Sequence, residues 1–284
     1  MSKKLKIILI IFGIIFFLSL IVALMEGPFS PGKVGLVNIK GIIVESKSTI
    51  EEIRRYRKDP TIRAIVIRVD SPGGAVVPSQ EIYEEIKRTI KSKPVVVSMG
   101  SIATSGAYYI SSPATKIVAN PGTLTGSIGV LIEIPNIKGL LDKVGIKTEV
   151  IKSAKYKDIT SPFKSLQSDE REILQTVIDD VHEQFIKAVS EGRKIPIEKV
   201  RKIADGRVFT GLKAKDLGLI DETGDLNHAI KVAAELAKIK GEPEVVTKKT
   251  PPFIELLKTD AESLLKKLIP YLQIHYLFHP TVEK

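Results

Sequence analysis

Two glycine-containing stretches hold the residues best suited to chemistry. Residues 70–74 read Asp-Ser-Pro-Gly-Gly, and residues 99–110 read Met-Gly-Ser-Ile-Ala-Thr-Ser-Gly-Ala-Tyr-Tyr-Ile. Paired glycines such as Gly73-Gly74 let backbone N–H groups turn toward a bound group, which suits an oxyanion; a tight turn has the same composition. Ser105 stands where a strand meets a helix, and N–H dipoles at a helix start favour a nearby anion. Serine is also a common N-cap there. Ala103 and Ala107 occupy the flanking positions, so the stretch is not a G-x-S-x-G nucleophile elbow.

A serine nucleophile needs a base. The chain has no Cys, which excludes a thiol nucleophile, disulfides, Cys-ligated zinc and iron–sulfur clusters. Its four His are poorly placed: His182 falls within an apolar-spaced helix and His228 near a helix start. His275 and His279 lack the Glu of H-E-x-x-H, and two ligands do not make a zinc site, so no metal is expected. A neutral lysine serves instead when desolvation lowers its pKa. Lys152, Lys155 and Lys157 precede Thr160-Ser161-Pro162, although such a run also reads as a solvated edge.

Alternating strands and helices must position these groups. Val34–Ile39, Ala64–Val69 and Val95–Met99 are apolar, β-branched runs that read as strands; 116–119 and 147–151 read as further strands. Between them Thr49–Tyr56, Pro78–Lys91 (Ile82, Ile86 and Ile90 on one face) and 105–111 read as helices. The order predicts an α/β fold with a mostly parallel sheet covered by helices, and active groups in such sheets gather at the strands' carboxyl ends. Beyond residue 165, Ile173, Val177, Val181, Phe185 and Val189 predict a long helix with Ser168 as N-cap and Gly192 at its end. Asp225–Lys240 reads as another helix, 241–252 as a connector, and 253–278 as an amphipathic stretch within a helical C-terminal tail, 250–284.

The N-terminus sets a location. Residues 7–25 are 19 residues without a charge, about 28 Å of helix at 1.5 Å per residue, close to a bilayer's hydrocarbon thickness. Lys3, Lys4 and Lys6 precede them, so the rest of the chain is expected outside the cytoplasm, with the cell membrane crossed once. The stretch is long for a signal peptide, and Val22-Ala23-Leu24 is a poor cleavage site; residues 1–27 are therefore expected to remain as an anchor. Lys and Arg total 43 against 33 Asp and Glu, a net charge of +10. With no Trp and 6% aromatics the chain is poor material for base stacking, and nucleic acid is not an expected partner.

The motifs Asp70–Gly74, Met99–Ile110, Leu124–Val130 (Leu-Thr-Gly-Ser-Ile-Gly-Val), Tyr156–Pro162 (Tyr-Lys-Asp-Ile-Thr-Ser-Pro) and Ala204–Gly211 (Ala-Asp-Gly-Arg-Val-Phe-Thr-Gly) occur in the order found in signal peptide peptidase A proteins. The resemblance covers roughly residues 34–235 and is to the short form with one catalytic domain, here 34–240. It implies a crotonase/ClpP-like fold and a serine endopeptidase with a Ser–Lys dyad and no cofactor. Carried onto this sequence, it makes Ser105 the nucleophile, Lys157 the general base and Ser127 the residue that orients that lysine. Gly74 and Gly106 become the oxyanion donors. It also implies peptide substrates, signal-peptide remnants among them, and a homo-oligomeric ring in which neighbouring subunits can complete the dyad. Two other activities stay open: a protease acting on another membrane protein, and an acyl-CoA enzyme of crotonase-like fold, which would need neither Ser105 nor Lys157.

Overall fold

The computed structural model describes residues 11–17 and 32–248, and the backbone alone of 275–277. A helical segment, α1, spans 11–17 and exposes Ile11, Phe12, Ile14 and Ile15. Among the described residues no helix is long and apolar enough to cross a membrane, and most of the expected span 7–25 lies outside them. From there the chain runs β1 (Lys33–Lys40), α2 (Lys47–Lys58), β2 (Ile62–Ser71), β3 (Gly73–Ala75), α3 (Val76–Thr89), β4 (Val95–Thr104) and α4 (Gly106–Ser111). Then come β5 (Lys116–Ala119), β6 (Leu124–Gly126), α5 (Lys138–Lys143), α6 (Ser168–Arg193), α7 (Ile197–Arg201), β7 (Val208–Thr210) and α8 (Gly211–Asp216). The series closes with β8 (Glu222–Thr223), α9 (Leu226–Leu236), β9 (Glu244–Thr247) and β10 (His275–Leu277).

An eight-stranded sheet carries the order β7-β6-β4-β2-β1-β9, with β5 and β8 branching from β4. All of its pairs are parallel except β6 with β7, which makes it a mixed sheet. Strand alternation sends its two side-chain sets to opposite faces. Val34, Ala64, Val66, Val96 and Val118 pack on Ala229, Val232 and Ala233 of α9. The other face buries Ile65, Ile67, Val97, Met99 and Ile117 among Ile53 of α2, Ile82 and Ile86 of α3, Ile110 of α4, and Phe185 and Val189 of α6. Buried on both faces, Ala64–Ile67 of β2 and Val95–Val97 of β4 are continuous apolar runs, as parallel strands between helical layers are.

Strand β4 is the element that presents the candidate nucleophile. Its first half pairs with β5 (Val96 to Met99 against Lys116 to Ala119) and its last three residues with β6 (Ile102 to Thr104 against Leu124 to Gly126). The strand changes partner at Gly100, where the β2–β4 register shifts between Val69 and Ser71. Asp70 fills that irregularity: its Oδ1 accepts the Ile102 N–H at 3.1 Å. A Cβ on Gly100 would stand 2.6 Å from the Asp70 carboxyl carbon, so only glycine lets the carboxylate enter.

Several expectations need correction. Residues 147–151 form no strand; they lie exposed with no ladder partner, and Ile151 is fully exposed. The expected connector 241–252 contains β9, which pairs with Lys33–Leu36 at the sheet edge; backbone pairing holds it with little burial, so the sequence pattern is weak. The N-cap of α6 is Gln167, one residue before the expected Ser168, in a capping box with Glu170. That helix runs past Gly192 and ends at Lys194 in the left-handed region. Gly192 instead permits a close approach, since a Cβ there would lie 2.3 Å from the Ser112 carbonyl oxygen. Helix α9 stops at Leu236, short of the expected Lys240. Of the tail 250–284 only 275–277 are described, and they are a strand where an amphipathic helix was expected.

Candidate active site

Ser105 sits between β4 and α4 with φ 55° and ψ −121°. A non-glycine residue there is strained, and such strain persists only where the surroundings over-determine it. The surroundings do so. The Ser105 N–H donates to the Gly126 carbonyl at 2.8 Å, and the Ser105 carbonyl accepts from the Tyr109 N–H at 2.8 Å. Thr125 Oγ1 donates to the Ala103 carbonyl at 2.8 Å, tying β6 to the strand just before the turn. Helix α4 is fixed by the Tyr108 hydroxyl, which donates to the Leu219 carbonyl at 2.8 Å, and by Tyr109, whose ring packs between Tyr83 and Phe185 at 5.0 and 5.1 Å. The G-x-S-x-G pattern is absent, yet the geometry is a strained strand-to-helix turn of the kind that pattern produces. Ala103 and Ala107 are both fully buried, so their methyl groups are accommodated without the flanking glycines.

Strand β3 forms the facing wall. The Gly73 carbonyl accepts from the Ile43 N–H and the Ala75 N–H donates to the Ile43 carbonyl, both at 2.8 Å. Gly73 has φ 105°, which favours glycine. Gly74 is demanded by contact: a Cβ there would lie 2.1 Å from the Ile43 carbonyl oxygen. The Gly73 carbonyl and the Ala75 N–H turn to Ile43, so the N–H and C=O of Gly74 point to the opposite edge of the strand. Thr104 Oγ1 donates to the Pro72 carbonyl at 3.2 Å, joining this wall to the Ser105 turn. Gly106, buried, is the first residue of α4, where helix N–H groups lack helical acceptors. The structure thus brings Ser105, Gly74 and Gly106 to one end of the sheet.

Ser127 follows Gly126 (φ 81°) and is itself at φ 50°; its N–H donates to the Arg207 carbonyl at 2.9 Å. It is nearly buried beside the Ser105 turn, held by the same β6 backbone that accepts the Ser105 N–H.

Lys157 stands apart. It lies exposed in a turn after the projecting 137–156 segment, and no hydrogen bond joins it to Ser105 or Ser127 within the chain. Its neighbours are committed elsewhere. Lys152 donates to Asp158 at 2.6 Å, and Lys164 pairs with both Asp158 and Glu170. Lys155 is 2.6 Å from Asp169, and that hydrogen bond pushes its pKa up to about 12. A lysine held protonated that firmly is a poor base near neutral pH. Among the four lysines at 152, 155, 157 and 164, Lys157 is the one with no ion pair to a described residue. Asp158 was not singled out from the sequence; bonded by Lys152 and Lys164, which hold its carboxyl below the usual range, it pins the turn that carries Lys157. Asp70 was missed likewise. Its signal was the carboxylate opening the Asp-Ser-Pro-Gly-Gly motif.

These features define an α/β protein with a serine held at a strained turn opposite a glycine-rich strand. The Clp protease model matches residues 46–122, the stretch that contains Gly74, Ser105 and Gly106. The model of Peptidase family S49 matches residues 87–240, and the chain belongs to that family of serine proteases, hydrolases of peptide bonds. It is 46% identical over 195 residues to a protein named as a protease in Synechocystis sp., covering 69% of this chain and 68% of that one. It is 42% identical over 219 residues to Protease 4 of Salmonella typhi, covering 77% of this chain but 34% of that one. The chloroplastic serine protease SPPA of Arabidopsis thaliana is 35% identical over 206 residues, 72% of this chain and 30% of that one. The chain therefore spans only about a third of these last two relatives. Among solved structures, a membrane-bound stomatin-specific protease superposes with a TM-score of 0.51 over 78% of this chain and all of that one. At 17% identity that likeness shows the fold alone. Membership of a peptidase family decides against the acyl-CoA alternative.

Proposed function

We propose that the chain is a membrane-anchored endopeptidase that cleaves unfolded, apolar peptides, remnants of signal peptides among them, with Ser105 as nucleophile and Lys157 as base. The observation that carries this reading is the strained Ser105 turn facing the Gly74 edge. Neutral Lys157 takes the Ser105 hydroxyl proton, and Oγ attacks the peptide carbonyl. The N–H groups of Gly74 and Gly106 stabilise the oxyanion. Lys157 then protonates the leaving amine, and water hydrolyses the acyl-enzyme. Ser127 orients the lysine. The apolar stretch 7–25 anchors the chain at the lipid surface, its N-terminus cytoplasmic and its catalytic domain outside.

The exposure of Lys157 supports a shared site in a closed homo-oligomer, in which the lysine of one subunit meets Ser105 of the next. Exposed Leu140, Val144, Ile146, Val150 and Ile151 on the same projecting segment are unusual for a free surface and suit an interface with a second copy. Such an interface would also remove water from the ammonium, the change that makes a lysine usable as base.

The test is hydrolysis of a library of unfolded peptides by the full chain and its Ser105→Ala and Lys157→Arg variants. Both variants are expected to lose turnover with unchanged melting, since arginine cannot give up its proton at working pH. Retained turnover in either one contradicts the dyad.

A further inference from the structure

The chain enters the α/β domain at one end of the parallel sheet. Gly32 sits there against Arg63 and Ile239: a Cβ on it would lie 2.5 Å from Arg63 Cδ and 3.0 Å from Ile239 Cγ1. Strands β1, β2 and β9 start at this end, with Lys33 opposite Ile62 and Glu244, and the neighbouring β4 runs the same way. Helices α2, α3 and α9 lead into β2, β4 and β9, so their C-terminal ends and the loops that follow share it.

This end is basic. Lys58, Arg63, Lys91, Lys93, Lys238 and Lys240 stand on it, against Asp59 and Glu242. Lys33 and Glu244 neutralise each other at 2.9 Å. Lys93 is half-buried and donates to the Tyr56 carbonyl at 2.7 Å, whereas the other five cations are exposed. Cations in the last turn of a helix complement its dipole, an effect that fades within that turn. Arg63, Lys91, Lys238 and Lys240 lie beyond the caps Asp59, Ile90 and Ala237, where the dipole does not account for them. Chain length is the second observation. Residues 26–32 separate the apolar stretch 7–25 from Lys33, and even fully extended they reach at most about 25 Å. The basic end is therefore the part of the domain that this tether keeps nearest to a bilayer holding 7–25.

We propose that this end of the sheet rests on anionic lipid headgroups and holds Ser105 at the opposite end, away from the bilayer. The proposal rests on the reading of residues 7–25 as a membrane anchor. Each basic side chain close to an anionic surface strengthens the contact about fivefold, and the attraction fades over a Debye length of about 8 Å at physiological salt. Strand β4 runs from Val95 at the basic end to Thr104 beside Ser105, about 30 Å at 3.3 Å per residue. The substrates admitted by this orientation are peptides whose scissile bond stands clear of the headgroups by about that distance. A peptide still buried in lipid does not reach the site.

The test uses the absence of Cys, which lets one introduced thiol report position. Ser92→Cys marks the basic end, and Ser48→Cys, at the start of α2, marks the opposite one; both serines are exposed. Each full-length variant carries a fluorescent donor in vesicles of phosphatidylcholine, with or without phosphatidylglycerol, and an acceptor sits on the headgroups. In the anionic vesicles energy transfer is expected to be at least about twofold more efficient from position 92 than from position 48. That ratio should fall toward one in neutral vesicles, in about 0.5 M salt, or when Lys91→Glu and Lys238→Glu are added with melting unchanged. An equal or reversed ratio in anionic vesicles, or one indifferent to lipid charge and salt, overturns the lipid contact and leaves the anchor standing. A chain that fails to stay with either kind of vesicle overturns the anchor, and the lipid contact with it.

Discussion

Gly74→Ala tests the oxyanion wall by geometry. The new Cβ would stand 2.1 Å from the Ile43 carbonyl oxygen and 2.6 Å from the Ile43 carbon and nitrogen. Ordinary contact begins near 3.4 Å, so the wall must part by about 3.4 − 2.1 = 1.3 Å. Ile43 is held by hydrogen bonds to Gly73 and Ala75, and the movement falls largely on the strand that carries the Gly74 N–H. A displacement of about 1 Å at a reacting centre costs on the order of 100-fold in rate, and loss of an oxyanion donor about 100- to 1000-fold. The expectation is a fall in kcat within that range, with a smaller change in KM, measured on a fluorogenic unfolded peptide. Gly122→Ala is the control: nothing lies within 4 Å of a Cβ there, and activity should stay within about twofold of wild type. Circular dichroism and melting would establish that the Gly74→Ala protein is folded. A folded Gly74→Ala enzyme with kcat within threefold of wild type would refute the role of Gly74.

Other outcomes follow from the same geometry. Ser105→Gly should be inactive yet more stable to urea by about 1 kcal/mol, because glycine relieves a strain of order 1–3 kcal/mol and returns roughly 0.5–1 as backbone entropy; a less stable variant would mean the φ of 55° carries no strain. Lys155→Ala should keep most activity, since that side chain is paired with Asp169, whereas Lys157→Ala should keep none; interchanged results would reassign the base. Ile151→Glu, at a fully exposed position, should leave melting of the monomeric unit unchanged but reduce both assembly and turnover, read by light scattering and peptide hydrolysis; full activity as a monomer would refute the shared site. Mixing Ser105→Ala with Lys157→Ala chains under exchange should restore part of the activity, and verified mixed oligomers without recovery would place both members of the dyad in one subunit.

The parallel core was legible in the sequence because its strands are buried on both faces. Ala64–Val69 and Val95–Met99 are apolar and largely β-branched apart from Arg68 and Ser98, which hydrogen-bond to each other, and the structure has them as the hearts of β2 and β4. The long helix was legible from its four-residue apolar spacing, although Ile173 and Val177 of that stripe are exposed and only its later part, Phe185 and Val189, is buried; its cap was placed one residue late, since a Gln167–Glu170 box is a rarer signal than a serine. What escaped is what burial does not write. The edge strand β9 is held by backbone pairing with little side-chain burial. Residues 147–151 carry an apolar pattern, and among the described residues that pattern stays exposed. The strand-to-helix junction at Ser105 was legible, but its strained backbone was not, because buried Ala103 and Ala107 stand where glycines would mark such an elbow; Asp70 hid because its role is to plug a bulge that only the β2–β4 register reveals. The placement of Lys157 beside any serine cannot be read from spacing; in the structure it lies exposed.

The central claim is that Ser105 is the nucleophile. Reaction of the full chain with a serine-directed fluorophosphonate, followed by digestion and peptide mass mapping, tests it most directly. The account predicts one modified residue, Ser105, and no labelling of Ser105→Ala. Modification of another serine such as Ser101 or Ser127, or undiminished labelling of Ser105→Ala, would contradict it.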